Sequence, residues 1–472
     1  MLRARCPVRG RVQLDTVPVR PDSAREVARS VISDVRRRNA WAGAIIADAI
    51  ASAHLDDRDG ALATRLVYGV VSAQGTLDEA LDRYLSRPSR VHPAVRDVLR
   101  LAAYELLFAR TPARAVVHEA VESARHIQPS SAGMTNAVLR RLATDAPSFP
   151  WGDPRREPDA LARATGHPLW LVELLVSEIG WDAAHAFLNA SLAPAPTYLA
   201  HNPFAGSLDD LLAELQAVGG APELCSPLGC VRADVPRAAL RSPAMARGAC
   251  VSVDAAAQVI ASLASPPPGG VAVDCATGRG TKTLLMQADA VRCGSAARIV
   301  AADINASKVK RLQERMAFLG VPGVDARVAD LTDMRAIETL GGQSSADVVL
   351  LDAPCSNLGT LRRHPERTWR ITPRDIDTLA RLGQLMLETA SRLVRPGGFV
   401  VYSTCTVTQR ENTDVIEAFL SSETGTRFVT SPVGERLPEE WRHCVTSQGW
   451  FQSLPAPGGP DGHFAAMLWC VR

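Results

Sequence analysis

The sequence predicts an all-α domain followed by a doubly wound α/β domain, joined by a small α+β connector. Three observations carry this. From Ser23 to about Ala143 apolar residues recur at spacings of three and four, without strand-like alternation. Pro147, Pro150, Pro154 and Pro158 then forbid a continuous helix. From Ala249 onward short apolar runs alternate with glycine turns and helical segments, the pattern of parallel strands joined by helices.

Composition bounds the rest. A chain of 472 residues can bury large cores in two or three domains without covalent staples. With 46% hydrophobic residues and a formal charge of +2 it reads as globular, and net charge alone excludes no partner. Lysine occurs only at Lys282, Lys308 and Lys310, so nearly all positive charge is arginine, the cation that pairs bidentately with phosphate. A GC-rich genome would give the same bias. No run of eighteen apolar residues appears, and the start "MLRARCPVRGRVQLD" lacks the apolar core of a signal peptide. A cytoplasmic protein without membrane contact is expected. The ten cysteines show no paired zinc spacing; Cys225 and Cys230 come nearest but lack a second pair, so no metal is expected and the thiols should stay reduced.

Taken in order, residues 1–20 are basic and patternless, a flexible tail. Residues 21–146 form the all-α domain, with Val27, Val31 and Val35, then Val95, Val98, Leu99, Ala102 and Leu106, marking buried faces. Residues 147–248 are a linker and connector, containing the helix "LWLVELLVSEIG", ended by Gly180, and shorter mixed elements around "PTYLAHNPF". Residues 249–472 hold the strands "GGVAVDCATGRG", "ARIVAADIN", "VDARVADLTD", "ADVVLLDAPC" and "GGFVVYSTC". Doubly wound sheets bind ligands beyond the carboxyl ends of such strands.

The first of these strands ends in Asp274, followed by Gly278, Gly280 and a helix starting near Lys282. A phosphate-cradling loop would need glycine at Thr281, and a dinucleotide fingerprint would need one at Thr283. What remains is an Asp-x-x-x-Gly-x-Gly loop, which suits S-adenosylmethionine. Asp303 ends the next strand, where a carboxylate can accept from two ribose hydroxyls or cap the helix that follows. Asp330 ends a third strand and either receives an adenine amino group or opens a turn.

Two strands end in thiols. Cys355 follows Asp352-Ala-Pro, and Cys405 follows Ser-Thr. One such thiol would pass for a small buried hydrophobe. Two at the strand ends of one crevice, beside an aspartate, suit methylation of cytosine C5, which becomes nucleophilic only after a thiolate adds to C6. A carboxyl group near N3 and the amino group would stabilise the adduct.

At these residues the chain resembles the Sun/RsmB family of RNA cytosine-5 methyltransferases, over nearly its whole length. The segments "DAPCS" and "RRHP" (Asp352 to Ser356, Arg362 to Pro365) and "YSTC" with "EN" (Tyr402 to Cys405, Glu411 and Asn412) match the family's two signature stretches. The resemblance implies Cys405 as nucleophile, Cys355 as the group that assists release, and Asp352 and Lys282 as catalytic. It implies S-adenosylmethionine binding by Asp274, Ala276, Thr277, Gly278, Arg279, Gly280, Thr281 and Lys282, with Asp303, Asp330 and Asp352. The loop "DCATGRGTK" keeps the spacing of Asp274 and Lys282 and one glycine, Gly280, of the family's Asp-x-Cys-Ala-Ala-Pro-Gly-Gly-Lys. Upstream, "LRLAAYELLFARTPARAVVHEAVESAR" resembles the family's NusB-like RNA-binding domain, and "DGHFAAMLWCV" its last strand, with His463 for the usual phenylalanine. A Rossmann-like methyltransferase domain, a 16S rRNA substrate, no metal and a monomer follow as expectations. Arg362, Arg363 and His364 would contact the RNA at the crevice mouth. A transfer RNA substrate, or a non-catalytic RNA-binding assembly factor, is the alternative.

Overall fold

The computed structural model describes residues 23–471. The tail expected over residues 1–20 lies outside them. The chain divides into two compact units, Met1–Ser148 and Phe149–Arg472.

In the first unit the 3.6-residue periodicity becomes the helices Ala24–Arg38, Ala42–Ser52, Asp57–Ser72, Gln74–Asp82, Pro93–Leu107, Ala113–Ile127 and Ala132–Asp145. Ser23 and Asp56 cap two of them by accepting from Glu26 N and Asp59 N. The helix Pro93–Leu107 begins with proline at a position where no amide donor is needed. It buries Val95, Val98, Leu99, Ala102 and Leu106 as its spacing requires, but also Asp97 and Glu105. These carboxylates are matched by Arg36 and Arg100 on Asp97 and by Arg25 on Glu105, which offsets their desolvation.

The second unit contains both the connector and the α/β domain. Its first three helices are Pro158–Thr165, Leu169–Ile179 and Trp181–Leu192. A small antiparallel sheet follows, with strands β1 (Thr197–His201), β2 (Glu223–Cys225), β3 (Cys230–Ala233) and β4 (Cys250–Ser252) in the order β2-β3-β1-β4. Because β4 lies beyond residue 248, this sheet straddles the boundary that composition suggested. The connector is no detached module either. Leu171, Val172, Leu175 and Phe187 of its helices share one apolar cluster with Leu358, Leu361 and Val407, which lie just past the two strand-end cysteines.

The main sheet is formed by β5 (Val271–Asp274), β6 (Arg298–Asp303), β7 (Val324–Val328), β8 (Ala346–Asp352), β9 (Val394–Thr404), β10 (Phe428–Ser431), β11 (Phe451–Ser453) and β12 (His463–Cys470). Its order is β10-β12-β9-β8-β5-β6-β7, with β11 paired to β12. Strands β9 to β7 run parallel, whereas β12 pairs antiparallel with β9. The central strands are apolar on both faces because both are covered. Val349, Leu351, Val400 and Tyr402 face the side packed by the helix Pro373–Ser391. Val348, Leu350 and Val401 face the helix Ala255–Leu263. This is the Rossmann-like doubly wound sheet the sequence predicts, with an antiparallel edge, and the strand order reverses between β8 and β6 on either side of β5.

Candidate active site

Register alone brings the thiols together. Asp352 at the end of β8 pairs with Ser403 near the end of β9, so the loops that leave both strands emerge side by side. The Cys355 and Cys405 sulfurs lie 3.4 Å apart. Asn357 donates its side-chain amide to Cys405 Sγ at 2.9 Å, from a left-handed backbone position at φ 61 that asparagine tolerates better than most residues. The hydrogen bond to Cys405, with burial, pushes the Cys355 thiol well above the ordinary thiol range. Cys355 is buried, and Cys405 is partly open to solvent.

Beside the thiols, Lys282 Nζ meets Asp352 Oδ2 at 2.6 Å, and Ser403 Oγ donates to Asp352 Oδ1 at 2.9 Å. Burial works against the Lys282 charge, but the Asp352 carboxylate, helped by Cys405 and Asp274, raises its pKa overall. The rarity of lysine is thus informative: two of the three, Lys282 and Lys308, pair with carboxylates at strand ends.

The loop after β5 keeps its turn despite its altered sequence. Gly278 and Gly280 both have positive φ, at 56 and 72. A Cβ on Gly280 would also fall 2.2 Å from Leu312 Cδ1, so glycine is required there twice over. Thr281 is the first residue of the helix Thr281–Arg292, where a side chain is harmless. Thr283 donates to Asp274 Oδ2 at 2.6 Å and touches Thr277 Oγ1 at 2.7 Å. The residue that disqualifies a dinucleotide fingerprint therefore orients the first carboxylate. Arg279 is exposed and offers its carbonyl to Arg315, while Ala276 and Thr277 line the half-buried start of the loop.

Asp274 is buried, and among the described residues its Oδ1 has no hydrogen-bond partner. Burial pushes its pKa up to about 6. A buried carboxylate oxygen left unmatched beside a glycine loop fits a ligand that brings its own donor or cation, as the amino group of S-adenosylmethionine would. Asp303 accepts from Asn305 N at 2.9 Å, but Asn305 caps the next helix, so Asp303 is not that cap. Asp330 does open a turn, accepting from Thr332 N and Oγ1 through Oδ1.

The crevice-mouth arginines need correction. Arg362 is buried, donates to Asp461 Oδ1 at 2.6 Å, and spends its remaining guanidinium nitrogens on the Ala456 and Gly459 carbonyls. It therefore has no face left for RNA; it sits on a short helical turn, Leu358–Arg363, that folds back onto Asp461. Arg363 is half-buried and pairs with Asp461 and Asp254. His364 alone of the three is exposed.

Sequence reasoning passed over several members of the site. In the sequence, only its place two residues after Cys355 points to Asn357. Glu411 and Asn412 belong to a motif that assigns them no role, yet both are buried at 1% exposure and bond to residues of the thiol loops. His463 is buried near Asp254, Lys282 and Asp352. Burial lowers its pKa, and among the described residues neither ring nitrogen has a hydrogen-bond partner.

Among the described residues no cluster of potential metal ligands occurs, and no helix is long and apolar enough to cross a membrane. The family model described as 16S rRNA methyltransferase RsmB/F matches residues 261–469, and that of the NusB family matches residues 22–144. Ribosomal RNA small subunit methyltransferase B of Thermus thermophilus is 30% identical over 460 residues, covering 95% of this chain and 98% of the relative. Its namesake in Cronobacter sakazakii is 29% identical, covering 88% and 91%. The crystal structure of PH0851 matches with a TM-score of 0.77 at 22% identity, over 96% of this chain and 99% of that one, a likeness of fold. Because identity at this level runs through both units and both family models fall where those units lie, the chain belongs to the RsmB/F family of RNA methyltransferases and carries a NusB domain in its first unit.

Proposed function

We propose that this protein methylates C5 of a cytosine in small-subunit (16S) ribosomal RNA, using S-adenosylmethionine, through a covalent bond between Cys405 Sγ and C6 of the base. The observation that carries the reading is the paired thiols. Cys405 Sγ receives the Asn357 amide and faces Cys355 at 3.4 Å. Cys355 holds its proton, so it can donate to its neighbour and leaves Cys405 as the sulfur suited to attack. Family membership supports methyl transfer to ribosomal RNA, and the NusB domain supports an RNA substrate.

S-adenosylmethionine supplies an electrophilic methyl group on a sulfonium. Asp274, whose Oδ1 is unmatched among the described residues, Asp303 at the end of β6 and Asp330 two residues past β7 are the residues to hold it, together with the amides of the loop from Ala276 to Lys282. The Cys405 thiolate adds to C6, forming the sulfur–carbon bond and shifting the C5–C6 π pair onto C5. Asp352, fixed by Lys282 and Ser403, stands ready for the N3 and amino edge of the base. Once C5 carries its methyl, a base, water in the crevice being the simplest, takes the C5 proton; the C5–H pair re-forms the C5–C6 double bond and Cys405 leaves C6 as thiolate, with Cys355 beside the departing sulfur. The target must be unstacked to reach both thiols, which favours a loop or opened segment of RNA.

Bisulfite sequencing of ribosomal and transfer RNA from a deletion strain tests the proposal. One cytosine of 16S rRNA should lose its protection. Loss in a transfer RNA would move the substrate, and no loss in either would leave an RNA-binding assembly role.

A further inference from the structure

Both thiols sit on irregular loops, yet their sulfurs are held in contact. Something must fix the two loops against each other. The Glu411 carboxylate lies between them, buried at 1% exposure. Its Oε1 accepts the backbone N–H of Ser356 at 2.6 Å, and its Oε2 accepts the Ser356 hydroxyl at 2.6 Å. The same Oε2 accepts Thr408 Oγ1 at 2.8 Å and Thr406 Oγ1 at 3.3 Å. Ser356 directly follows Cys355 and Thr406 directly follows Cys405, and their hydroxyls are 2.7 Å apart. Asn412 adds a second grip on one loop. Its Oδ1 accepts Thr404 Oγ1 at 2.6 Å and its Nδ2 donates to the Thr406 carbonyl at 3.2 Å, which brackets Cys405 from both sides. The Glu411 carbonyl is tied in turn to Tyr402 of β9 by the tyrosine hydroxyl at 2.7 Å.

We propose that Glu411 is a positioning residue whose buried carboxylate sets the spacing of the Cys355 and Cys405 sulfurs. This rests on the two-thiol reading given above. Glu411 touches no reacting atom; it acts through the residues next to each thiol. An ionised carboxylate is an acceptor only, and its partners here, Ser356 N–H and the hydroxyls of Ser356, Thr406 and Thr408, are all donors. An error of about 1 Å in the placement of reacting groups costs on the order of 10²-fold in rate.

The test measures spacing and turnover separately. Diamide oxidises two neighbouring thiols to a disulfide and is itself reduced to the hydrazine, so its rate of Cys355–Cys405 crosslinking, read by peptide mass spectrometry, reports sulfur proximity without RNA or methyl donor. The wild-type protein should crosslink readily. Glu411→Ala should crosslink roughly tenfold more slowly and lose about 100-fold in kcat, with KM for RNA and S-adenosylmethionine within about threefold. Glu411→Gln, which keeps one acceptor oxygen and can offer its amide to the hydroxyl oxygens, should recover most of both. If Glu411→Ala does not fold, Ser356→Ala removes one strut and should show a smaller loss of the same kind. A wild-type crosslinking rate in the Ala variants, or a wild-type pair that does not crosslink, overturns the positioning role. Glu411-dependent crosslinking in a protein that methylates no RNA would keep the clamp and overturn the reaction.

Discussion

The two halves of the crevice are built on opposite terms. At the thiol end, where β8 and β9 finish, the polar groups of Glu411, Asn412, Ser356 and Thr406 are matched by one another. At the other end, where β5 finishes, the Asp274 Oδ1 is buried and, among the described residues, unmatched. Most buried polar groups are paired within the protein, and an unpaired carboxylate oxygen beside a glycine loop is one a ligand's donor can match. The contrast is between thiol loops held by a set of mutually paired buried groups and a carboxylate oxygen that a ligand's donor would complete; His463, buried near Asp352 with neither ring nitrogen paired among the described residues, is the exception at the thiol end. The β5 loop needs a turn and a carboxylate, supplied here by Gly278, Gly280 and Asp274, whereas the thiol loops are held by particular side chains.

The largest expected effect lies at the thiol end. Cys405→Ala should abolish methyl transfer, by at least about 10³-fold, and form no covalent adduct with RNA. Cys355→Ala should instead accumulate a protein–RNA adduct visible on a denaturing gel. If the Cys405 variant still methylates, the nucleophile is misassigned and the rigid half of the comparison has no reacting centre.

Next comes the buried pair that closes this half. Arg362→Ala leaves Asp461 buried without that partner and should cost about 3–5 kcal/mol of stability. Thermal melting measures it. An unchanged Tm together with a raised KM for RNA would return Arg362 to the RNA surface.

The binding half predicts a pH dependence. The Asp274 pKa is raised in the folded protein to about 6, from an ordinary value of 3.8. Its contribution to stability is therefore present below about 3.8 and lost as pH rises through about 6, so at neutral pH the free protein carries a cost. A cationic ligand group prefers the ionised carboxylate, so affinity for S-adenosylmethionine should fall by up to about tenfold per pH unit below 6. Asp274→Asn should weaken binding by roughly 10- to 100-fold, flatten this profile in calorimetric titrations, and raise the Tm of the free protein. A profile that stays steep in Asp274→Asn assigns the titration to another group.

The smallest effects sharpen the account of the loop. Gly280→Ala meets both a positive φ and Leu312, and should cost more than Gly278→Ala, whose Cβ would meet only the Ala276 carbonyl oxygen at 4.0 Å. The latter should cost about 1 kcal/mol. Equal losses in denaturant unfolding would mean that the close packing of Gly280 is not what requires glycine.

What was legible in the sequence was periodicity and what stands at the end of each period. Helical spacing marks the buried stripe of the first unit at Val27, Val31, Val35 and Val95 through Leu106, and short doubly apolar runs mark the central strands. Asp274, Asp303, Asp352 and the two cysteines fall at or just past strand ends because the strand pattern stops there. These are local properties, set by backbone geometry and by which faces must leave water, and one chain suffices to show them.

Which strands are neighbours is not local. Only the parallel register of β8 and β9 places Asp352 beside Ser403 and Cys355 against Cys405. Arg362 reads as a surface cation until its turn folds onto Asp461, 99 residues away, and Glu411 reads as one more polar residue until Ser356, 55 residues away, donates to it. The reason is physical. Burying a charge or a carboxylate is tolerable only when a partner from elsewhere in the chain arrives with matching geometry, and that arrival is decided by the packed structure.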